Sequence, residues 1–265
     1  MKFRLKLMPA LLTGIILFYS ACKKNANAPA PTAQTSVEQA ASGQIAANLA
    51  QSLAGAYGGA SINDGISAPA IATSSTSGRA INSLNSNSVC GFFIDSTINV
   101  KNNSGDTIKS TTTGDLEFRF KCGSNGKSTG FTIFDSLRTA GKAPGYTFTD
   151  IIVQDYSVAG LNAANTLISL DGSLKSWVDI TYDKKNTTPF SLHNKFVLSG
   201  LKIDLSKTPA DIYDGTATFV SDGSSSAGIF HFTGTIVFLG NYKVKITING
   251  FVFHANLLTG VVTPG

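Results

Sequence analysis

The chain has 265 residues, room for one or two domains with a sizeable core. Hydrophobic residues make up 42% and charged residues only 14%, against roughly 25% charged in an ordinary soluble domain. The formal charge of +5 comes from the first two dozen residues: without Lys2, Arg4, Lys6, Lys23 and Lys24, 16 basic residues balance 16 acidic ones, and a neutral chain with no basic block has no electrostatic footprint for nucleic acid.

Residues 1–21 read as a secretory signal peptide: basic Lys2, Arg4 and Lys6, an apolar stretch from Leu7 to Tyr19, then small Ser20 and Ala21. The apolar stretch, interrupted by Pro9 and Gly14, falls short of the roughly 20 residues a membrane span needs. Ser20-Ala21-Cys22 resembles the lipobox of Gram-negative lipoproteins, and Cys22-Lys23-Lys24 is similar to Bacteroidota examples. The resemblance covers only these first residues, and Tyr19 stands where Leu is usual. It implies cleavage before Cys22, diacylglycerol on its thiol, a fatty acyl chain such as palmitate on its amine, and an outer-membrane address. An ordinary cleaved signal and an uncleaved anchor are the competing readings. Surface-exported lipoproteins of this type carry acidic residues soon after the Cys. Lys23-Lys24-Asn25-Ala26 has none, which points to a periplasm-facing molecule. Giving Cys22 to lipid leaves Cys90 and Cys122 as a disulfide pair in an oxidising compartment, with two free thiols as the alternative.

Residues 22–36 form the lipidated Cys and a flexible tether with two prolines. Thr35 with Glu38 makes a capping-box pattern. Val37, Ala41, Ile45, Leu49, Leu53 and Tyr57 recur at i+4, and Gly58-Gly59 ends the run, so a helix over 37–57 is expected. It reads as packed on the following domain; the competing reading, an amphipathic segment that lies on the membrane or lids a pocket, lacks the Lys/Arg face such helices usually show. Residues 58–88 return to Ser, Asn, Ala and Gly, a linker composition.

From Val89 the hydrophobic period becomes two. Strands are expected at 89–100, 106–113, 115–122, 128–138, 146–158, 165–170, 174–182, 190–205, 214–221, 228–239, 242–248 and 251–258, divided by Gly, Asn, Asp and Ser. The fold class is therefore all-β: one N-terminal helix, then an antiparallel curved sheet over 89–265 closing as a barrel, half-barrel or sandwich. Asn249-Gly250 marks a two-residue type I′ hairpin. It puts Tyr242, Val244, Ile246 and Ile248 on one apolar face with Phe251, Phe253, Ala255 and Leu257. Lys243, Lys245, Thr247, Val252, His254 and Asn256 take the other. The turn at Gly240-Asn241 is open: a simple turn sets Phe238 against the lysine face, whereas a bulge restores one apolar face. Ile229, Val237 and Leu239 raise the expectation that strand 228–239 is covered on both sides.

Chemistry is sparse. His193, His231 and His254 fit no metal or catalytic pattern. Gly123 to Ser128 has the end of a phosphate-binding loop, but Lys121 stands where its first Gly belongs and strands flank it, so it is a hairpin turn. Asp64, Asp171, Asp214 and Asp222 each precede Gly and read as turn formers. A glycosidase pair among Asp115, Glu117, Asp179 and Asp183 is the weakest candidate, since the chain has only two Glu. No metal or cofactor is expected.

Seventeen Phe against seven Tyr and one Trp suit a dry interior or an apolar pocket. The expected function is a non-enzymatic binder of a lipid or other apolar ligand, attached to the membrane through Cys22. Phe232, Phe238, Ile246, Ile248, Phe251 and Phe253 are its candidate contacts, with ordinary core packing as the plain alternative for each. A structural or assembly protein of the envelope is the second expectation. A glycan-binding strip around Trp177 and Tyr182 is the third.

Overall fold

The computed structural model describes residues 33–55, 60–64, 90, 93–104, 107–124, 126, 128–160, 166–185, 187–226 and 228–265. The signal peptide, Cys22, the tether to residue 32, Tyr57 and most of the 58–88 linker lie outside the described residues.

Eleven antiparallel strands follow one another in a meander, each hydrogen-bonded to its sequence neighbours: β1 (Phe93–Ser104), β2 (Ile108–Cys122), β3 (Ser128–Ala143), β4 (Tyr146–Gly160), β5 (Leu167–Tyr182), β6 (Phe190–Asp204), β7 (Asp211–Ser225), β8 (Gly228–Gly240), β9 (Lys243–Ile248), β10 (Phe251–Asn256) and β11 (Val262–Pro264). The sheet does not close: among the described residues β1 pairs only with β2 and β11 only with β10. Of the three expected closures, the full barrel is thereby excluded. Cys90 is disulfide-bonded to Cys122, with Cα atoms 5.5 Å apart, tying the segment before β1 to the end of β2.

Two strands are longer than the sequence implies. Gly114 and Gly172 read as breaks, yet each lies inside one continuous strand. A Cβ at either position would sit 2.0 Å from a carbonyl oxygen of the neighbouring strand, Ser136 O or Asp155 O. The glycines let backbones approach closely, and at Gly172 the register shifts as a bulge, which bends the strand. Asp171, Asp214 and Asp222 are accordingly not turn formers. Asp171 accepts from the Gly200 N–H at 2.7 Å, and Asp214 takes Lys202 Nζ at 2.6 Å. Asp222 lies mid-strand against His231. Asp64 ends a short 3-10 turn, Ile62–Asp64. The three-residue β11 is too short for an alternation pattern and escaped the sequence reading.

The last hairpin forms as its letters imply. Asn249 and Gly250 both have positive φ, 48° and 88°, and Ile248 pairs with Phe251. The open turn resolves as a bulge: Gly240 pairs with Lys243 and Phe238 with Val244, so Ile236 and Phe238 join the buried face. The other side of β8 is bare, with Ile229 92% and Leu239 50% exposed, which corrects the expectation of two covered faces.

The helix α1 (Ala33–Leu53) begins and ends earlier than the 37–57 spacing implies. Thr35 therefore lies inside it, and Glu38, expected to cap, is buried. Val37, first in the apolar run, is exposed, whereas Ile45, Leu49 and Leu53 are buried. The helix lies across one face of the sheet. Gln39 Nε2 donates to Val262 O (3.1 Å) on β11, Ser176 Oγ on β5 donates to Asn48 Oδ1 (2.9 Å), and Gln154 Nε2 on β4 donates to Ser52 O (3.3 Å). Its apolar side chains join one core with inward residues of β1–β10, among them Phe118, Phe131, Tyr156, Phe196, Phe219 and Phe253. Inward residues of β1–β10 thus share one core with α1 and with Ala60 and Ile62 after it, while Phe148, Val178 and Ile180 form a smaller cluster apart from the helix.

Candidate ligand groove

Inward positions of a strand that buries one face should be apolar. Five central strands break that rule in two adjoining registers. Asp135 on β3 stands opposite Gln154 on β4, and Ser176 on β5, Asn194 on β6 and Ser221 on β7 stand in one cross-strand row. All five are buried beneath or beside α1, which turns buried Glu38, Ser42, Asn48 and Ser52 inward among its apolar residues. The groove floor is therefore apolar at its two sides and polar along its middle.

Hydrogen bonds join part of this seam. The Ala60 N–H is shared by Gln154 Oε1 (2.6 Å) and Asp135 Oδ2 (3.0 Å). Gln154 Nε2 also donates to the Tyr156 hydroxyl at 3.1 Å, and Asn194 Nδ2 donates to Ser176 Oγ at 3.4 Å. Other atoms have no partner among the described residues: Glu38 Oε2, Ser52 Oγ, Asp135 Oδ1, Asn194 Oδ1, Ser221 Oγ, and Asp150 Oδ1 further along β4. Burial pushes the Asp135 carboxyl up to about 7, against the opposing bonds from Ala60 and Gln154. Asp150, between Thr139 and Val178 across the ladder, is raised by burial to about 7 as well. Burial and then the charge of Asp135 raise the Tyr156 phenol.

The candidate ligand residues share this inner face. Phe238, Ile246, Ile248 and Phe253 are at most 3% exposed and belong to the core together with α1, with Phe232 half-buried against it. Phe251, at the hairpin tip, is 37% exposed. Two shallow hollows of about 270 and 380 Å³ lie instead on the outer face, the first beside Phe93, Glu117, Arg119 and Asp155 and the second beside Asp171 and Val197.

The remaining candidates are scattered. Trp177 is half-buried on the outer face, its ring 5.9 Å from that of His193, while Tyr182 sits beside Tyr146 on the other face of the sheet. They form no common strip, because an odd and an even position on one strand point to opposite sides. Asp115 and Glu117 lie on β2, far along the sheet order from Asp179 on β5 and from Asp183 after it, so no cross-strand acid pair forms among these four. His193 meets Asp179 at 3.1 Å, and His231 meets Asp222. His254 stays on the outer face. Among the described residues no three His, Cys, Asp or Glu side chains gather as a metal site.

The polar row was missed in the sequence reading, although its signal is there. Asp135 stands between Ile133 and Leu137, Gln154 between Ile152 and Tyr156, and Asn194 between Leu192 and Phe196. Each is a polar residue at apolar parity. Comparison with protein-family models, curated proteins and solved structures found no match to this chain.

Proposed function

We propose that this is a non-enzymatic envelope lipoprotein, anchored in the outer membrane by acylated Cys22 and facing the periplasm, that binds an apolar ligand in the groove now filled by α1. One observation carries the reading: the seam between α1 and the groove floor holds buried polar atoms without partners among the described residues. Buried polar groups in permanent cores are satisfied, and each exception costs about 1–3 kcal/mol. A cover held at that cost is poised to leave, and beneath it lies a floor of Phe118, Phe131, Phe196, Phe219, Phe238 and Phe253. Withdrawal of α1 gives a long apolar chain a trough to lie in.

The test is native mass spectrometry of protein purified from cells, with solvent extraction of whatever is bound. A second sample carries Asn48→Cys with Ser176→Cys, which locks the helix down. A stoichiometric apolar adduct in the wild type that is lost in the locked variant is the expected result. Apo masses in both would end this reading.

A second reading, a structural or assembly protein of the envelope, draws on the packing of Phe238, Ile246, Ile248 and Phe253 as ordinary core. It expects apo masses and a protein partner on the outer face.

A further inference from the structure

We propose that the end of the molecule formed by the start of α1 and by β8–β11 is a docking face for an anionic phospholipid surface. The inference rests on the reading of Cys22 as a lipid anchor, but not on the groove. Exposed large side chains collect at this end. Val37 on the first turns of α1, Leu239 at the β8 bulge, and Leu258 and Val261 in the turn before β11 are each half or more exposed. They are neighbours through backbone and side-chain bonds: Gln39 is bonded to Val262 O, Leu257 N–H to Tyr242 O, and Asn256 N–H to Val261 O.

The acids near them, Asp211 at the Asn241-Tyr242 turn and Glu38 beside Val37, are buried, and Asp211 is paired with Lys207. From Leu239 to Gly265 the chain contains Lys243, Lys245 and His254 and no Asp or Glu. Both lysines are exposed on the outer face, Lys245 between Val237 and His254 across the ladder and Lys243 opposite Asn256. Neither forms an ion pair among the described residues, unlike Lys202 and Lys207 with Asp214 and Asp211. At the other edge the signs mix: β1 and β2 carry Asp95, Asp115 and Glu117 outward together with Lys101, Lys109, Arg119 and Lys121. Exposed apolar side chains beside two lysines without ion pairs match the interface of an anionic bilayer, where headgroup charge attracts the base and the acyl boundary takes the apolar group.

Chain length selects the same occupant. Only eleven steps separate Cys22 from Ala33, at most about 40 Å when fully extended. An acylated Cys22 therefore holds the start of α1, and the β11 edge bonded to it, close to the headgroups. Lipid is the surface within reach.

The test uses residues 22–265 with Cys22→Ser, so that no acyl chain contributes, and co-sedimentation with vesicles of phosphatidylethanolamine and phosphatidylglycerol at 3:1 or of phosphatidylcholine alone. Preferential binding to the anionic vesicles is expected. It should fall at least tenfold in K243E/K245E and comparably in L258S/V261S, with far-UV circular dichroism unchanged, since every altered side chain is exposed. Binding that ignores these substitutions, or no binding to either vesicle, overturns the proposal. So does a dimer in sedimentation that L258S/V261S dissolves, because the face is then covered by a second copy. The anchor is read separately, from the intact mass of native protein extracted from membranes. An acylated mass beside absent vesicle binding leaves the anchor standing and removes the docking face.

Discussion

Ser176 donates a hydrogen bond to Asn48 at 2.9 Å and receives one from Asn194 at 3.4 Å. Through this one hydroxyl, a helix near the start of the chain is fastened to the middle of the sheet. Ser176→Ala removes a donor and an acceptor together at a buried position. A loss of about 1–3 kcal/mol is expected in urea unfolding. The paired change Asn48→Leu with Ser176→Ala should recover part of it, because both ends of the bond then become apolar.

The two raised carboxyls set a pH dependence. Asp135 and Asp150 bind protons more tightly folded, at about 7, than in the unfolded chain, at 3.8. Between those values the native state holds more protons, so their contribution to stability is greatest below pH 4 and declines as pH rises to 7. The decline is about 4 kcal/mol for each carboxyl. Asp135→Asn and Asp150→Asn should each flatten the melting temperature measured from pH 4 to 8. A slope that survives both substitutions assigns the dependence to other groups.

Asp211 has no exposed surface and carries three bonds. It accepts from the N–H groups of Asn241 and Tyr242 at 2.9 Å each, and from Lys207 Nζ at 2.6 Å. Burial alone would raise its carboxyl, yet these donors outweigh it and hold it below the usual range. Asp211→Ala leaves two turn N–H groups and one ammonium unmatched. Its expected cost is about 2–4 kcal/mol in chemical denaturation, with hydrogen exchange accelerated first at the β8–β9 turn.

Reduction of Cys90–Cys122 opens a loop of 32 residues. The chain-entropy relation assigns about 3–4 kcal/mol to that closure. The midpoint of guanidinium unfolding should fall in the presence of reductant, and Cys90→Ser should reproduce the fall without reductant. An unchanged midpoint would mean that the segment before β1 is held by other contacts.

Strands and hairpins were legible because their information is local. Asn249-Gly250 and the alternation of Val244, Ile246 and Ile248 require no knowledge of the rest of the fold. Gly114 and Gly172 misled because glycine marks both a turn and a close approach inside a strand, and the difference lies in the neighbouring strand, through Ser136 and Asp155. The seam was hidden for a related reason. Asp135 and Gln154 come together only once two strands are paired, and their partner Ala60 lies 75 and 94 residues upstream. An i+4 count around α1 finds Ile45, Leu49 and Leu53. It passes over Glu38, Ser42, Asn48 and Ser52, because a helix buried against a polar row need not be amphipathic.

The meander orders assembly in time. Every strand pairs with the one made just before it, so the sheet can grow by short loop closures from either end. The helix obeys no such rule: synthesised before every strand, it rests partly on β9, β10 and β11, the last strands of the sheet. Its docking, like that of Ala60 on Asp135 and Gln154 and of Asn63 on Ala210, is long-range and must wait for strands made much later. A chain cut just before Val262 should therefore still build most of its hairpins while leaving the trough uncovered, an arrested intermediate with its greasy surface on display.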